Sequence, residues 1–162
     1  MKSKQNIIIL VVVAAIIVGI VSYNYSAEQT RQKGFIFGNE LEQIQTEVKD
    51  LQTTFYSKQK QQEEGAITKV ELFQYYEKHV EEFGEIISRY DKLITPESFQ
   101  SAVNLLKLSS QTQLDSDKQY IEWMKTGDES FKVRSDSQYQ QALEYEMTGL
   151  VEYYSAKTGV QP

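Results

Sequence analysis

The chain has 162 residues, which fits one domain of ordinary size, and its 40% hydrophobic and 25% charged residues exclude disorder throughout. The formal net charge is −6. Lys2 and Lys4 precede the longest apolar run, and without them the charge of the remaining chain is −8. A body this acidic repels phosphates, so we expect no nucleic acid partner. The absence of cysteine excludes disulfides, thiolate metal sites and a nucleophilic cysteine.

The first predicted element is a membrane anchor at residues 1–25. Residues 7–21 read IIILVVVAAIIVGIV, and this apolar run, extended by Ser22 and Tyr23, forms roughly 25 Å of helix, which is short but able to span a bilayer. A cleaved signal peptide has the same basic start and apolar core, but it needs a small residue third from the cut, where Tyr25 or Asn24 stands here. We therefore predict an uncleaved signal-anchor, with a secreted helical protein as the alternative, and a juxtamembrane segment at residues 26–38.

The charges beside the anchor predict its orientation. Lys2 and Lys4 lie closer to the apolar run than Arg31 and Lys33 do. Because lysine and arginine are in excess on the cytoplasmic side, and because so short a tail is easily retained there, we expect a cytoplasmic N-terminus. The predicted location is the cell membrane, with a single pass, lipid around the N-terminal helix and the C-terminal domain outside the cytoplasm.

The next predicted helix covers about residues 39–63. Its apolar residues step by three and four, and they form one narrow seam: Leu41, Ile44, Val48, Leu51 and Phe55. Asn39 is a candidate N-cap, although the helix runs further back if Gly34 and Gly38 are tolerated, and Gly65 is a natural stop. A narrow seam fits either one wall of a bundle or a coiled-coil dimer stalk. We prefer the bundle, because roughly two and a half heptads are marginal for a dimer alone.

A second body helix is predicted at residues 69–94. Thr68 and Glu71 have the spacing of a capping box, which marks its start. Its apolar face is wide enough to contact two neighbours, and it is formed by Leu72, Phe73, Tyr76, His79, Val80, Phe83, Ile86, Ile87, Tyr90, Leu93 and Ile94. The acidic residues of this helix lie on the other side and are interpreted as a solvated face rather than a cation site: Glu77, Glu81, Glu82 and Glu85.

The third predicted helix, residues 96–126, carries the main anomaly. It begins at the Thr95-Pro96 pair, and a connection this short makes it antiparallel to its predecessor. Polar residues occupy or border its apolar stripe: Ser109, Ser110, Gln113 and Asp117. The preferred interpretation is a kink or break near Ser109 and Ser110, because hydroxyl side chains compete for backbone hydrogen bonds. The alternative is a polar-lined pocket between helices, with the hydroxyls of Tyr76, Tyr90 and Tyr120 available to a small ligand.

The last predicted helix covers residues 136–157. Gly127 is a candidate left-handed cap for the preceding helix, and residues 128–134 are expected to form a loop. Ser135 and Gln138 again have capping-box spacing. The predicted inner face of this helix consists of Tyr139, Leu143, Met147, Leu150 and Tyr154.

The sequence therefore predicts an all-α protein, with a single N-terminal transmembrane helix followed by an antiparallel up-down four-helix bundle over residues 39–159. This organisation resembles the extracytoplasmic four-helix sensor domains of chemoreceptors. The resemblance rests on no shared motif, so no function is carried over from it.

Few residues suggest chemistry. His79 is the only histidine, and its place beside the apolar face indicates a packing role. The chain has no Gly-rich phosphate loop, G-x-S-x-G turn, H-E-x-x-H or EF-hand pattern. We therefore predict that the protein is not an enzyme, and we assign no catalytic, metal or cofactor-binding residues and no cofactor.

Two functional hypotheses follow. The first, which the sequence favours, is an anchored bundle that acts through a protein partner or through a homo-oligomer, as a scaffold or accessory subunit. The second is a ligand-binding sensory module that uses the polar section of the third helix.

Overall fold

A computed structural model describes residues 34–158 of the chain. Within this range the backbone is almost entirely helical and contains no strand. The four long helices are α1 (34–63), α2 (Lys69–Arg89), α3 (Gln100–Thr126) and α4 (Glu129–Thr158), and two short 3₁₀ turns, Tyr90–Lys92 and Glu97–Phe99, connect α2 to α3. The prediction of an all-α helical bundle is confirmed.

Contacts divide the chain into two units, Met1–Gly38 and Asn39–Pro162. The described part of the first unit, residues 34–38, is helical. No helix between residues 34 and 158 is long and apolar enough to cross a membrane. The transmembrane helix predicted at residues 1–25 lies outside the described residues, so it stays a prediction.

Sequence signals explain the end of α1 and the start of α2. The Ala66 amide donates to the Gln61 carbonyl (2.8 Å) and the Gly65 amide to the Gln62 carbonyl (3.0 Å), a pattern that needs the positive φ of 73° at Gly65. Thr68 and Glu71 then form the predicted capping box, in which the Glu71 carboxylate accepts the Thr68 amide at 2.7 Å. This hydrogen bond lowers the pKa of Glu71.

The start of α1 and the end of α2 differ from the prediction. The structure continues α1 back through Gly38 and Gly34, so Asn39 is helical and is not its N-cap. Helix α2 ends at Arg89 instead of reaching residue 94, and Ile94 is 79% exposed in the extended segment that follows. Proline disfavours helical geometry only at the residue directly before it, Thr95, so Pro96 does not explain the end at Arg89, after which the 3₁₀ turn Tyr90–Lys92 follows directly.

Helix α4 begins seven residues before its predicted start. Gly127 ends α3 in the left-handed conformation, as predicted, with φ of 74°. The Asp128 carboxylate then accepts the Ser130 amide at 2.9 Å, and so it caps the first turn of α4. This hydrogen bond lowers the pKa of Asp128. The prediction of a loop over residues 128–134 was wrong because this earlier cap takes precedence over Ser135, which lies inside the helix.

The apolar core is built by α1, α2 and α3. One cluster combines Phe55 of α1 with Leu72, Tyr76 and Ile121, and a second combines Phe83, Ile87 and Leu114. Val48 and Leu51 of α1 pack against the second cluster. The seam of α1 therefore forms one wall of the bundle, which favours the bundle over the coiled-coil stalk.

Helix α4 joins the bundle through small residues rather than through the predicted face. Its buried residues are Ser135, Ala142 and Gly149, and they recur every seventh position. Ala102, Ser109 and Ser116 of α3 are also buried and follow the same spacing. Together these six residues form what we call the small-residue seam. The predicted face was wrong at Met147 and Tyr154, which are 69% and 58% exposed, because small side chains let the backbones of α3 and α4 approach closely.

Candidate functional site

The polar section of α3 lies inside an unbroken helix. Ser109, Ser110, Gln113, Ser116 and Asp117 are all buried, so the preferred prediction of a break or a solvent-facing kink was wrong. Each serine hydroxyl has a carbonyl acceptor, and this satisfies the polar group away from water. Ser109 Oγ donates to the Ala142 carbonyl and Ser116 Oγ to the Ser135 carbonyl, both at 2.8 Å and both across the small-residue seam. These two serines therefore hold α4 in place.

Asp117 lies at the centre of a buried polar network. Its side chain is 2% exposed, and its Oδ2 lies 2.9 Å from Nε2 of His79, which is fully buried. The His79 ring stacks on Phe55, with ring centroids 4.6 Å apart, and the Tyr75 hydroxyl lies 3.4 Å from its Nδ1. The packing role predicted for His79 thus describes its stacking on Phe55, while its partnership with Asp117 was not predicted.

Two glutamines complete the surroundings of the Asp117 carboxylate. Gln52 Nε2 donates to Oδ2 at 2.7 Å, and Gln113 Nε2 donates to Oδ1 at 3.2 Å. A carboxylate that accepts three N–H donors in a buried site compensates much of the cost of leaving water. The network connects α1, α2 and α3, and it is therefore a structural element of the core.

A second polar chain runs through Tyr90. Ser110 Oγ donates to the Leu106 carbonyl at 3.1 Å, and the Tyr90 hydroxyl lies 3.2 Å from Ser110 Oγ. Gln45 Nε2 of α1 donates to the Tyr90 oxygen. Burial raises the pKa of Tyr90 to about 12, and the nearby Glu146 carboxylate contributes to this increase.

A cleft of about 380 Å³ lies between α1, α3 and α4, in front of both networks. We call it the α1–α4 cleft. Its lining consists of Glu42, Gln45, Thr46, Val48, Lys49, Gln52 and Tyr56 of α1, Ser109, Ser110 and Gln113 of α3, and Tyr139, Leu143, Glu146 and Leu150 of α4. The polar section of α3 thus forms part of the lining of a cleft between helices, although the accessible lining is mostly apolar. The alternative interpretation, in which this section binds a small ligand, stays a prediction.

The tyrosines of the cleft are not the predicted ones. Tyr56 and Tyr139 line it, with ring centroids 6.4 Å apart. Partial burial and the neighbouring Tyr139 hydroxyl raise the pKa of Tyr56, and the Asp117 carboxylate adds to this effect. Tyr90 lies behind the lining, bonded to Gln45 and Ser110, while Tyr76 and Tyr120 pack around Phe55.

Three ionisable side chains at the cleft have no ion pair within residues 34–158. Glu42 and Glu146 contribute carboxylates from α1 and α4, and Lys49 contributes one ammonium group. Glu146 is half-buried, whereas Glu42 and Lys49 are exposed. The cleft therefore carries a formal charge of −1.

Most of the acidic residues that were predicted to form a solvated face of α2 are exposed. Glu77, Glu81 and Glu85 are exposed, and Glu82 is half-buried beside Lys78, 3.1 Å away. No group of three or more histidine, aspartate or glutamate side chains in the described part of the chain is placed to hold a metal ion.

The α1 side of the cleft was not predicted from the sequence. Gln45, Gln52 and Tyr56 flank the apolar seam, where polar residues indicate a solvated face. The sequence does show several such residues along one edge of α1. They indicate a cleft only when the position of α4 is known. Comparison with known proteins finds no matching family model, no matching curated protein and no matching solved structure.

Proposed function

We propose that the protein is a ligand-binding module, in which the α1–α4 cleft receives a small polar molecule. In this proposal the N-terminal segment anchors the bundle to the cell membrane with the cleft outside the cytoplasm, and the protein carries out no reaction. The proposal thus adopts the ligand-binding hypothesis, in which the membrane anchor presents a receptor domain.

The observation that carries the proposal is a cleft within a helical bundle, whose mostly apolar accessible lining includes amides and hydroxyls from three helices. A volume of about 380 Å³ lies in the range of small-molecule sites, about 300–1,000 Å³. Apolar side chains at Val48, Leu143 and Leu150 combine there with amides and hydroxyls from three helices. Small-molecule sites commonly have this combination, since the apolar groups supply contact area and the few polar groups set orientation.

The test is the binding of a library of small polar molecules to the full chain, measured as an increase in melting temperature. Thr46 is exposed at the rim of the cleft, so Thr46→Trp fills the cleft without disturbing the core. Thr53, seven residues further along α1, is the control position. It is also exposed, and its hydroxyl likewise donates to the carbonyl four residues earlier, but it does not line the cleft. Ligand stabilisation that is lost in Thr46→Trp and kept in Thr53→Trp supports the proposal. A library without any such ligand contradicts it.

A second candidate function, binding of a protein partner or of a second copy, is favoured by the outer surface of α4. Met147, Val151 and Tyr154 lie on one helical face and are all more than half exposed. Exposed apolar side chains that recur at helical spacing are typical of interaction surfaces. Val151→Lys then abolishes association of the full chain in analytical ultracentrifugation, and an unchanged sedimentation profile counts against a role in self-association.

A further inference from the structure

The amides that line the α1–α4 cleft all have the same orientation. Gln52 and Gln113 direct their Nε2 groups to the Asp117 carboxylate. An ionised carboxylate only accepts hydrogen bonds, so neither amide can be turned around without placing oxygen against oxygen. Their carbonyl oxygens are therefore the ends that point away from the network.

The orientation of Gln45 follows from the chain behind it. The Ser110 hydroxyl proton is committed to the Leu106 carbonyl, so the Tyr90 hydroxyl donates to Ser110 Oγ. The Tyr90 oxygen is then free to accept the Nε2 group of Gln45. Gln45 thus also uses its donor on the protein and leaves its carbonyl oxygen unbonded.

These three carbonyl oxygens have no hydrogen-bond donor among the residues that the structure describes. Gln52 Oε1 is buried and has no hydrogen-bond partner within residues 34–158. Gln113 lines the cleft although the residue is only 8% exposed, and its oxygen has no hydrogen bond within the same range. A buried acceptor without a donor costs on the order of 1–3 kcal/mol. The cleft lining therefore presents unpaired acceptors beside its own donors, which are the Lys49 ammonium and the hydroxyls of Tyr56 and Tyr139.

The charged groups of the cleft favour a cationic ligand. The half-buried Glu146 carboxylate has no cationic partner within residues 34–158, and Glu42 adds a second carboxylate against the single Lys49. A partly buried carboxylate gains most from a cation that also donates hydrogen bonds. The rings of Tyr56 and Tyr139 supply faces that attract a cation and contact an alkyl chain.

We propose that the ligand of the α1–α4 cleft is a small organic ammonium compound, whose N–H donors bond to the carbonyl oxygens of Gln45 and Gln113 and to the Glu146 carboxylate. This inference rests on the proposed ligand-binding function and names the class of ligand. The acceptors select for donors, the net negative charge selects for a cation, and the volume selects for a molecule of modest size.

The test uses three four-carbon compounds of similar size and different charge, added to the full chain in titration calorimetry: putrescine, gamma-aminobutyrate and succinate. We expect putrescine to bind, gamma-aminobutyrate to bind about tenfold more weakly because its carboxylate approaches Glu146, and succinate not to bind. Stronger binding of gamma-aminobutyrate or of succinate than of putrescine overturns the inference. Failure of putrescine to bind at all also overturns it.

Variants locate the interaction. Glu146→Gln weakens putrescine binding by about tenfold to a hundredfold, because one hydrogen bond between charged groups is lost. Glu144→Gln removes the same charge two residues earlier on α4, at an exposed position outside the cleft, and leaves binding unchanged. Lys49→Gln strengthens putrescine binding because it removes a like charge. Equal weakening by Glu144→Gln and Glu146→Gln indicates unspecific attraction to an acidic protein and overturns the inference.

The Thr46→Trp variant separates this inference from the function on which it rests. If putrescine fails but a neutral or anionic library compound binds the wild type and not Thr46→Trp, the ligand-binding function holds and the ammonium class is wrong. If Thr46→Trp binds every compound as the wild type does, the cleft is not the site and both proposals fail.

Discussion

Asp117 is the side chain with the most demanding environment in the bundle. Its carboxylate is nearly inaccessible, and its partners among residues 34–158 are His79, Gln52 and Gln113. A buried pair of this kind adds little stability over a well-packed apolar pair, but removal of one partner leaves the others buried without compensation. The network therefore makes these four positions depend on one another.

Asp117→Leu is expected to lower the free energy of unfolding by about 3–5 kcal/mol, because His79 and two amides lose their acceptor. Asp115→Leu, two residues earlier on the exposed side of α3, is the control and changes it by less than about 1 kcal/mol. Urea unfolding measures both.

Combining Asp117→Leu with His79→Phe tests the coupling between the two side chains. The double variant is expected to be more stable than the sum of the single effects indicates, because each substitution removes the group that the other leaves unpaired. Additive effects contradict the coupling.

The identity of this network was beyond sequence analysis. His79 lies in the predicted apolar row of α2, and Asp117 lies in the polar section of α3, so both were recognised as unusual positions. Their partnership depends on how α2 and α3 are aligned side by side, and periodicity within one helix carries no information about that alignment. The same limit applies to Gln52 of α1, whose position gains meaning only from its neighbours.

Among the elements, the contact between α3 and α4 depends on a missing side chain. A Cβ atom at Gly149 lies 3.0 Å from Leu106 Cγ and 3.2 Å from Leu105 Cβ, whereas a Cβ atom at Gly84 in α2 meets nothing within 4 Å. Gly84→Ala is expected to raise the free energy of unfolding by about 1 kcal/mol through helix propensity. Gly149→Leu is expected to lower it by about 1–3 kcal/mol through overpacking.

Thermal melts of the two glycine variants measure this difference in one experiment. Stabilisation by Gly149→Leu means that α4 moves away from α3 freely, and it contradicts the close contact. An unchanged Gly84→Ala variant contradicts only the propensity estimate for α2.

The place of α1 in the bundle is testable at Val48. Val48→Asp is expected to lower the free energy of unfolding by about 2–4 kcal/mol, because it places a carboxylate against the cluster of Phe83, Ile87 and Leu114. Val70→Asp is the control, since Val70 is two-thirds exposed on α2. Loss of a dimer without a fall in melting temperature in Val48→Asp supports a coiled-coil stalk instead.

The four helices could be predicted from apolar spacing and from strong local signals, such as the capping box at Thr68 and the glycine stop at Gly127. The inner face of α4 could not, because its buried residues are small and its larger apolar residues are exposed. Hydrophobic periodicity identifies faces that bury large side chains, and a helix that packs through serine, alanine and glycine gives almost no such signal. The prediction at Met147 and Tyr154 failed for that reason.

For the whole molecule, buried tyrosines predict a loss of stability in alkali. Burial raises the pKa of Tyr75 and of Tyr90 from 10.0 to about 12. Below pH 10 both phenols are neutral in the folded and the unfolded chain, so stability is unaffected. As the pH rises from 10 towards 12 the unfolded chain loses its phenol protons first, and the free energy of unfolding falls.

Urea unfolding at a series of pH values measures this fall. Tyr75→Phe is expected to make the decline above pH 10 shallower, because one group no longer ionises differently in the two states. A free energy of unfolding that stays constant between pH 10 and pH 12 contradicts the raised pKa values.

The small-residue seam repeats every seven residues on both helices, so a slide of α4 by two turns, about 10 Å, again places small residues against small residues. Gly149 distinguishes these alignments within the seam, because a Cβ atom in its place lies 3.0 Å from Leu106 Cγ. Gly127 and Asp128, the two residues that join α3 to α4 and hold the helix ends together, also limit the alignment. Since Tyr139, Leu143 and Glu146 travel with α4, the length of this connection determines which side chains face the α1–α4 cleft. A longer connection therefore allows more than one alignment of α4, and each alignment places different α4 side chains in the cleft, although the sequences of the lining helices are unchanged.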